Sequence, residues 1–357
     1  MHRQTNPPLF SSAEEIHQYL QFFPNPDGTV TRNSIFPDIP PTPDPHDDHL
    51  SNSNSNPVLS KDIPINQSNN TWARLYLPKQ HLALLDSDNN NNNNNNNKLP
   101  LIVYIHGGGF VLLCPPSSSL NHNFCSAMAV DLGAVVVSIE YRMAPEHRLP
   151  AAYDDAVEAL HWIRTTQEAC LREYADYTNC FIMGSSAGGN ITYHAALRFL
   201  APHEDDDDDL HPTLKIRGLI LHQPFFGGTQ RTQSESRLAR DPILPPPLTD
   251  FLWDHSLPVG ADRDHKYSNP TAAGGGSNSN ILDSLVEGKV KVMVTGCEGD
   301  PLIDRQMGLA KFVSDKGIET VARFGQGGSH GFEVMDPTTK AKELFIAIKE
   351  FIILIPE

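Results

Sequence analysis

Several features are absent from this sequence of 357 residues. No stretch of about 18 consecutive apolar residues is present, as a membrane-spanning helix would require, and the first residues contain no apolar run of signal-peptide length. The five cysteines are odd in number and widely spaced, without a Cys-x-x-Cys pair or another recognised set of metal ligands. We therefore expect a cytoplasmic protein, with the nucleus as a second compatible compartment, that has no membrane span and no metal.

Positive charge is scarce as well. Lys and Arg number 27 against 43 Asp and Glu, which gives a formal net charge of −16. A field of this sign repels nucleic-acid phosphates and anionic lipid head groups, so nucleic acid is not an expected partner. Hydrophobic residues make up 39% of the chain and charged residues 20%, which is enough apolar material for one large core.

The composition divides the chain into parts. Residues 1–70 are rich in Pro, Asn, Asp and Ser and predict an N-terminal arm that contributes to a cap, with one short helix over 12–23. The asparagine run 89–97 and the acidic run 204–209 can bury nothing, so we expect disordered surface inserts there. The remainder, 71–357, predicts a single α/β domain.

Apolar β-like runs alternate with amphipathic helix patterns through that domain. Continuous Val, Ile and Leu runs of this kind are typical of parallel strands that helices cover on both faces. The predicted strands are 72–77, 99–105, 134–141, 180–183, 216–222, 290–295 and 320–324. The predicted helices between or after them are 152–165, 189–200, 302–313 and 338–354.

A Gly-x-Ser-x-Gly motif is the strongest local signal. It directly follows one predicted strand, directly precedes a predicted helix, and reads Gly184-Ser185-Ser186-Ala187-Gly188. In that context the motif predicts a nucleophile elbow, in which Ser186 sits in a strained turn and the small flanking residues let strand and helix approach. The alternative is an ordinary Gly/Ser turn.

A second glycine-rich motif ends the predicted strand 99–105 and reads His106-Gly107-Gly108-Gly109-Phe110. Consecutive glycines let backbone N–H groups approach a substrate, as an oxyanion hole requires. The expected donors are Gly107, Gly108 and Ala187. A phosphate-binding loop is disfavoured, because the glycine spacing of the known phosphate motifs is missing. A simple hairpin turn remains the structural alternative.

A serine nucleophile needs a base and an acid that orients the base. Asp300 follows the predicted strand 290–295, and His330 follows the strand 320–324. The chain order of serine, aspartate and histidine is that of α/β-hydrolases. All the motifs follow predicted parallel strands, so they should meet at the carboxyl edge of one sheet. Asp304 is an alternative acid, but Asp300 lies nearer the strand end.

The motifs at 106–110 and 184–190, joined by the segment 141–155, resemble the hormone-sensitive-lipase branch of the α/β-hydrolases. More closely, they and the opening segment 24–32 resemble the plant carboxylesterases of that branch. The resemblance implies an eight-stranded, mostly parallel sheet and a small helical cap, built from the N-terminal arm and an excursion at about 224–280. Aromatic residues of this cap would form an apolar pocket, and the candidate lining residues are Phe225 and Phe226 of the excursion and Phe110 of the glycine motif.

These residues together predict a serine carboxylesterase for small to medium esters. Ser186 would attack the ester, His330 would move the proton, Asp300 would orient His330, and neither a cofactor nor an obligate protein partner is expected. Two rival functions stay open. The first is a non-hydrolytic lyase, because plant dehydratases and alkaloid cyclases resemble the same branch and reuse its pocket. Plant gibberellin receptors also resemble it but depart from the triad at the histidine position, which disfavours a hormone receptor here.

Overall fold

The computed structural model describes residue 10 and residues 12–42, 56–80, 98–201, 214–272 and 279–353. The runs 89–97 and 204–209 lie outside the described residues. In chain order the elements are α1 (Ala13–Leu20), β1 (Phe22–Pro24), β2 (Val30–Arg32), β3 (Val58–Asn66), β4 (Thr71–Pro78), β5 (Leu99–Ile105), α2 (Ser119–Leu132), β6 (Val135–Ile139), α3 (Ala151–Thr165), α4 (Ala169–Tyr174), β7 (Ala175–Ser185), α5 (Ala187–Phe199), β8 (Ile216–His222), α6 (Gln233–Arg237), α7 (Pro246–Ser256), α8 (Ser279–Glu287), β9 (Lys291–Cys297), α9 (Ile303–Asp315), β10 (Thr320–Gly325), α10 (Phe332–Met335) and α11 (Lys342–Ile353).

Eight strands form one sheet in the order β10-β9-β8-β7-β5-β6-β4-β3. All neighbours from β10 to β6 are parallel, whereas β4 pairs antiparallel with both β6 and β3. The predicted eight-stranded, mostly parallel sheet is thus confirmed. Because β5, β7, β8, β9 and β10 run in the same direction, the loops that follow them meet at one edge of the sheet.

The central strand β5 shows how the two faces of the sheet are covered. Leu101, Val103 and Ile105 belong to the core on one face, together with residues of α3 and α5. Ile102 and Tyr104 belong to the core on the opposite face, where helices α2 and α11 pack. Side chains alternate in this way because successive residues of a strand point to opposite faces. The continuous apolar run follows from burial on both sides.

One strand of the main sheet lies within residues 1–70, the predicted arm. Strand β3 pairs with β4 from Val58 opposite Pro78 to Asn66 opposite Thr71 and forms the edge of the sheet. Lys61, Asp62 and Pro64, near its centre, are exposed. Charged residues and proline are typical of edge strands, which have solvent beside them. The polar composition therefore hid a strand of the main sheet.

The first part of the arm packs over the carboxyl edge. Helix α1 begins after the capping residue Ser12 and buries Ile16 and Leu20, and β1 and β2 form a short antiparallel hairpin. Arg32 at the end of β2 makes two hydrogen bonds with the Glu146 carboxylate, at 2.7 and 2.6 Å, and donates to the carbonyl of Val111 at 2.8 Å. This contact holds the hairpin beside the loop that follows β5.

Residues 224–272 form an excursion that contains α6 and α7. The hydroxyl of Tyr19 on α1 donates to the carbonyl of Pro242 at 3.0 Å, so the arm and the excursion contact each other. Trp253 on α7 is buried and stacks on Phe225 with ring centroids 4.7 Å apart. In the described part of the chain, every helix is too short or too polar to cross a membrane.

Candidate active site

Ser186 lies in a sharp turn between β7 and α5, with φ 56° and ψ −119°. This left-handed backbone is strained for a residue with a side chain. The turn needs glycine on both sides. A Cβ atom on Gly184 would lie 2.1 Å from the carbonyl oxygen of Gly188, and one on Gly188 would lie 1.9 Å from that of Ile105. The structure therefore has the strand, turn and helix geometry that the motif predicts.

The two adjacent serines of the motif have different partners. The hydroxyl of Tyr104 donates a hydrogen bond to Ser185 Oγ at 3.1 Å, in a buried environment. Ser186 Oγ instead lies 2.8 Å from His330 Nε2. Of the two hydroxyls, only that of Ser186 therefore has a base within hydrogen-bonding distance.

His330 links Ser186 to Asp300. Its Nε2 atom faces the serine, and its Nδ1 atom lies 2.8 Å from Asp300 Oδ2. Both residues of this pair are buried. Burial acts to lower the pKa of His330, but the charge of Asp300 and its hydrogen bond raise that pKa above the usual 6.5. The pair is arranged to stabilise an imidazolium when His330 takes up a proton.

Asp300 is held as a carboxylate by three donors. Besides His330, the backbone N–H of Leu302 donates to Oδ1 at 2.9 Å, and the side chain of Gln306 donates to Oδ2 at 2.8 Å. Burial acts to raise the pKa of Asp300, yet the charge and hydrogen bond of His330, together with the other two donors, hold it below the usual 3.8. Asp300 therefore stays ionised next to the histidine.

The glycine loop after β5 lies against the serine turn. A Cβ atom on Gly107 would be 3.2 Å from Ser186 Cβ, and Gly108 has a left-handed φ of 113°. Within the described part of the chain, no acceptor takes the backbone N–H groups of Gly107, Gly108 or Ala187. Ala187 also begins α5, where the helix dipole favours negative charge. The structure brings the three expected oxyanion donors to one place.

The other residues of the glycine motif support this loop. His106 is buried and stacks on Tyr141 with ring centroids 4.4 Å apart. The hydroxyl of Tyr141 lies 3.1 Å from the carbonyl oxygen of His106 and 3.2 Å from that of Gly107. Gly109 has a left-handed φ of 60°, which favours glycine, and a Cβ there would lie 2.6 Å from a methyl carbon of Leu252 on α7. The loop is thereby fixed between the sheet and the excursion.

A cavity of about 300 Å³ adjoins Ser186 and His330. Its walls are mostly apolar and come from the arm, the glycine loop and the excursion, including Leu20, Phe36, Leu112, Leu244, Leu248 and Leu252. Of the three aromatic candidates for a pocket, Phe225 lines it. Phe110 and Phe226 are not among its described lining residues; Phe110 packs against Trp253 and Phe226 against Tyr193.

Two titratable side chains beside the triad gave no recognisable signal in the sequence. His222 ends β8 and Glu333 lies on α10, and His222 Nε2 is 3.6 Å from Glu333 Oε2. Burial, together with the charge of His330, lowers the pKa of His222 to about 3. Burial raises the pKa of Glu333 from 4.5 to about 7. His222 is therefore neutral near neutral pH, whereas Glu333 is about half ionised at pH 7 and protonated at lower pH. No cluster of three or more His, Cys, Asp or Glu side chains suited to a metal ion occurs among the described residues.

Comparisons with known proteins agree with this geometry. Residues 102–334 match the family described as alpha/beta hydrolase fold. The chain is 49% identical over 343 residues to Carboxylesterase 20 of Arabidopsis thaliana, covering 96% of this chain and 98% of the relative. It is 40% identical over 346 residues to a 3-O-acetylpapaveroxine carboxylesterase of Papaver somniferum, covering 94% and 97% of the two chains.

The fold is also similar to solved esterase structures. A hyperthermophilic esterase from the archaeon Pyrobaculum calidifontis superposes with a TM-score of 0.62 at 25% sequence identity, over 84% of this chain and 86% of the other. These matches confirm the resemblance carried by the glycine and serine motifs. The chain belongs to the plant carboxylesterases, in the hormone-sensitive-lipase-like branch of the α/β-hydrolase family.

Proposed function

We propose that the protein is a serine carboxylesterase in which Ser186, His330 and Asp300 form the catalytic triad. The observation that carries this proposal is the continuous chain of two 2.8 Å contacts from Ser186 Oγ through the imidazole to Asp300 Oδ2. These contacts lie at the turn that holds Ser186, beside the backbone N–H groups of Gly107, Gly108 and Ala187. This is the set of groups that acyl transfer through a covalent enzyme intermediate requires.

The reaction follows from the positions of these atoms. Ser186 Oγ attacks the ester carbonyl carbon while His330 Nε2 removes the hydroxyl proton. The N–H groups of Gly107, Gly108 and Ala187 stabilise the negative oxygen of the tetrahedral intermediate. The carbon–oxygen bond to the alcohol then breaks, and His330 gives its proton to the departing alcohol. A water molecule, deprotonated by His330, cleaves the acyl-enzyme and releases the acid.

The cavity suggests which esters are accepted. Its lining includes Leu112, Leu248 and Leu252 and no Asp, Glu, Lys or Arg side chain among the described residues. An uncharged, apolar group therefore fits better than an anionic one, since an unpaired charge is costly to bury. A relative is named for a substrate with a 3-O-acetyl group. We propose neutral small-molecule esters of small to medium size, bound without an obligate protein partner.

The roof of this cavity is a proposed cap. One part is the arm, residues 1–70, from which Tyr19 and Phe36 line the cavity. The other part is the excursion at 224–280, from which Leu244 and Leu252 line it. Residues 58–66 of the arm lie in the main sheet instead. Enclosure by apolar side chains excludes water around the bound ester and strengthens the oxyanion contacts.

A series of p-nitrophenyl esters with acyl chains of increasing length tests the proposed activity. We expect wild-type turnover that declines once the acyl chain outgrows the cavity. Ser186→Ala should lower kcat by several orders of magnitude, up to the ~10⁶-fold known for a serine protease. Ser314→Ala, at an exposed position of α9, is the matched control and should retain full activity. A folded wild-type protein that hydrolyses none of the esters would contradict the proposal.

A further inference from the structure

Gln223 has an unusual backbone and a buried side chain. It directly follows the last residue of β8, and its φ of 43° lies in the left-handed region that residues other than glycine rarely adopt. Its side chain is 1% exposed. Its backbone N–H donates to the carbonyl of Thr295 on the neighbouring strand at 3.0 Å. A strained conformation at a sheet edge persists only where the surrounding contacts require it.

The amide of Gln223 contacts the backbone on both sides of His330. Its Oε1 atom accepts a hydrogen bond from the N–H of Gly331 at 2.6 Å, and its Nε2 atom donates to the carbonyl of Ser329 at 3.1 Å. Nε2 also lies 3.2 Å from Cys297 Sγ. Only a group with a donor and an acceptor side by side can make the two bonds to the histidine loop.

The loop around His330 is rich in glycine and depends on contacts such as these to keep one conformation. Gly327, Gly328 and Gly331 all have left-handed φ angles, between 68° and 74°. Glycine has no side chain to pack, and its backbone has many accessible conformations. A loop of this composition does not fix the direction of the imidazole by itself. Catalysis nevertheless requires His330 Nε2 to stay within hydrogen-bonding distance of Ser186 Oγ.

The same segment also contacts the nucleophile. The carbonyl of His222 accepts a hydrogen bond from the N–H of Ser186 at 2.9 Å, and the N–H of Phe225 donates to the carbonyl of Ser186 at 2.9 Å. Residues 222–225 therefore touch the backbone of Ser186 on one side and the loop of His330 on the other. This segment sets the position of the base relative to the serine.

We propose that Gln223 is a positioning residue of the triad, whose amide clamps the peptide groups on both sides of His330 and holds Nε2 against Ser186. The inference rests on the proposed esterase function and adds a residue to its machinery. Gln223 also lies on the wall of the cavity, but its amide bonds to the peptide groups beside His330 and not to Ser186 Oγ or the imidazole. It acts through the orientation of His330, so its loss should affect the rate of the chemical step more than substrate binding.

Gln223→Met provides the first test. Methionine is similar in length and equally unbranched, but its thioether cannot reproduce the donor and acceptor pair. With p-nitrophenyl acetate we expect kcat to fall roughly 10²-fold, the effect of a displacement of about 1 Å, and KM to change by less than about threefold. Asn66→Ala is the matched control, because its amide also donates and accepts, at the far edge of the sheet. Its kcat should stay at the wild-type value.

Gln223→Glu provides the second test, with a readout that loss of packing would not change. A protonated carboxyl has one donor and one acceptor and can keep both bonds, whereas an ionised carboxylate only accepts and repels the carbonyl of Ser329. The ratio of wild-type kcat to variant kcat should therefore increase from pH 5 to pH 9. The titratable groups around the site are His222, Asp241, Cys297, Asp300, His330 and Glu333. Their titration largely cancels in the ratio because wild type carries them too.

Each outcome decides the proposal. A Gln223→Met kcat within about threefold of wild type, or a Gln223→Glu ratio that does not change with pH, would overturn it. If the methionine variant does not fold, the glutamate ratio decides alone. A folded wild-type protein without esterase activity would refute the proposed function, and the positioning role with it. Active wild type with unaffected variants would refute only the positioning role.

Discussion

Asp300 and Asp304 lie four residues apart, and only Asp300 contacts His330. The Oδ2 atom of Asp304 instead accepts a hydrogen bond from the backbone N–H of Ser234 at 2.7 Å. Ser234 lies in the first turn of α6, where orphan N–H groups need acceptors. Asp304 thus ties the excursion to α9, whereas Asp300 faces His330. The two carboxylates therefore serve different purposes.

Substitution of the two aspartates should separate these purposes. Asp300→Asn keeps the size of the side chain but removes the charge that orients and stabilises the imidazolium. We expect kcat to fall by a factor approaching the ~10⁴ that the equivalent change causes in a serine protease. Asp304→Asn should lower the melting temperature and leave kcat within about tenfold of wild type. Steady-state kinetics of both variants measure this, and a larger kcat loss at Asp304 would reverse the assignment.

The pH dependence of hydrolysis should report His330. Only the neutral imidazole accepts the serine proton, so kcat/KM should rise with pH through the pKa of His330 in the free enzyme. Because Asp300 raises that pKa, the midpoint should lie above the usual 6.5. In Asp300→Asn the anion is gone, and the midpoint of the residual activity should move to lower pH. A pH profile in which kcat/KM does not rise through this range would show that another group is the base.

Gly188 should tolerate no side chain. A Cβ atom there would lie 1.9 Å from the carbonyl oxygen of Ile105, the last residue of the central strand β5. Gly188→Ala should therefore abolish activity and lower the melting temperature by several degrees, or prevent folding. Gly308→Ala is the control, since no atom lies within 4 Å of a Cβ at this position of α9. Alanine is also the better helix former, so thermal unfolding of this variant should match or exceed wild type. Equal effects of the two substitutions would contradict the packing described for the elbow.

Glu333 should make the protein less stable as the pH rises. Its pKa in the folded protein is raised from 4.5 to about 7, so folding favours the protonated form. The associated stability is present below pH 4.5 and is lost by the time the pH passes 7. The loss amounts to at most about 3 kcal/mol, or several degrees of melting temperature. Glu333→Gln should therefore raise the melting temperature more at pH 8 than at pH 5. An equal shift at both values would show that Glu333 is not held neutral.

Much of the fold could be predicted because it is encoded in short stretches. A strand buried on both faces must be a continuous apolar run, and for β5 the predicted and observed bounds coincide at Leu99 and Ile105. The site motifs are local in the same sense. Strand, glycine turn and helix are adjacent in sequence, so the turn at Ser186 could be located without knowledge of the rest. The strand order then brings together Ser186 and His330, which are 144 residues apart.

What the sequence could not supply depends on tertiary contacts. Edge strand β3 is polar because one side faces solvent, and its pattern resembles that of a loop. Gln223 carries no motif, and its role appears only once β8 and the loop of His330 are side by side. The contact between His222 and Glu333 likewise becomes visible only in the folded structure, because the two residues are distant in sequence. The ring of Phe110 packs against Trp253, a residue of α7 that is distant in sequence, so no local pattern indicates this contact.

We propose Ser186 as the nucleophile and His330 as the base that activates it. Labelling of the native protein with a fluorophosphonate, followed by peptide mass spectrometry, tests both roles. We expect one adduct, on Ser186, that is absent in Ser186→Ala and forms far more slowly in His330→Ala. An adduct on Ser185, which is bonded to Tyr104 instead of the histidine, or no adduct on the folded protein, would show that Ser186 is not the nucleophile.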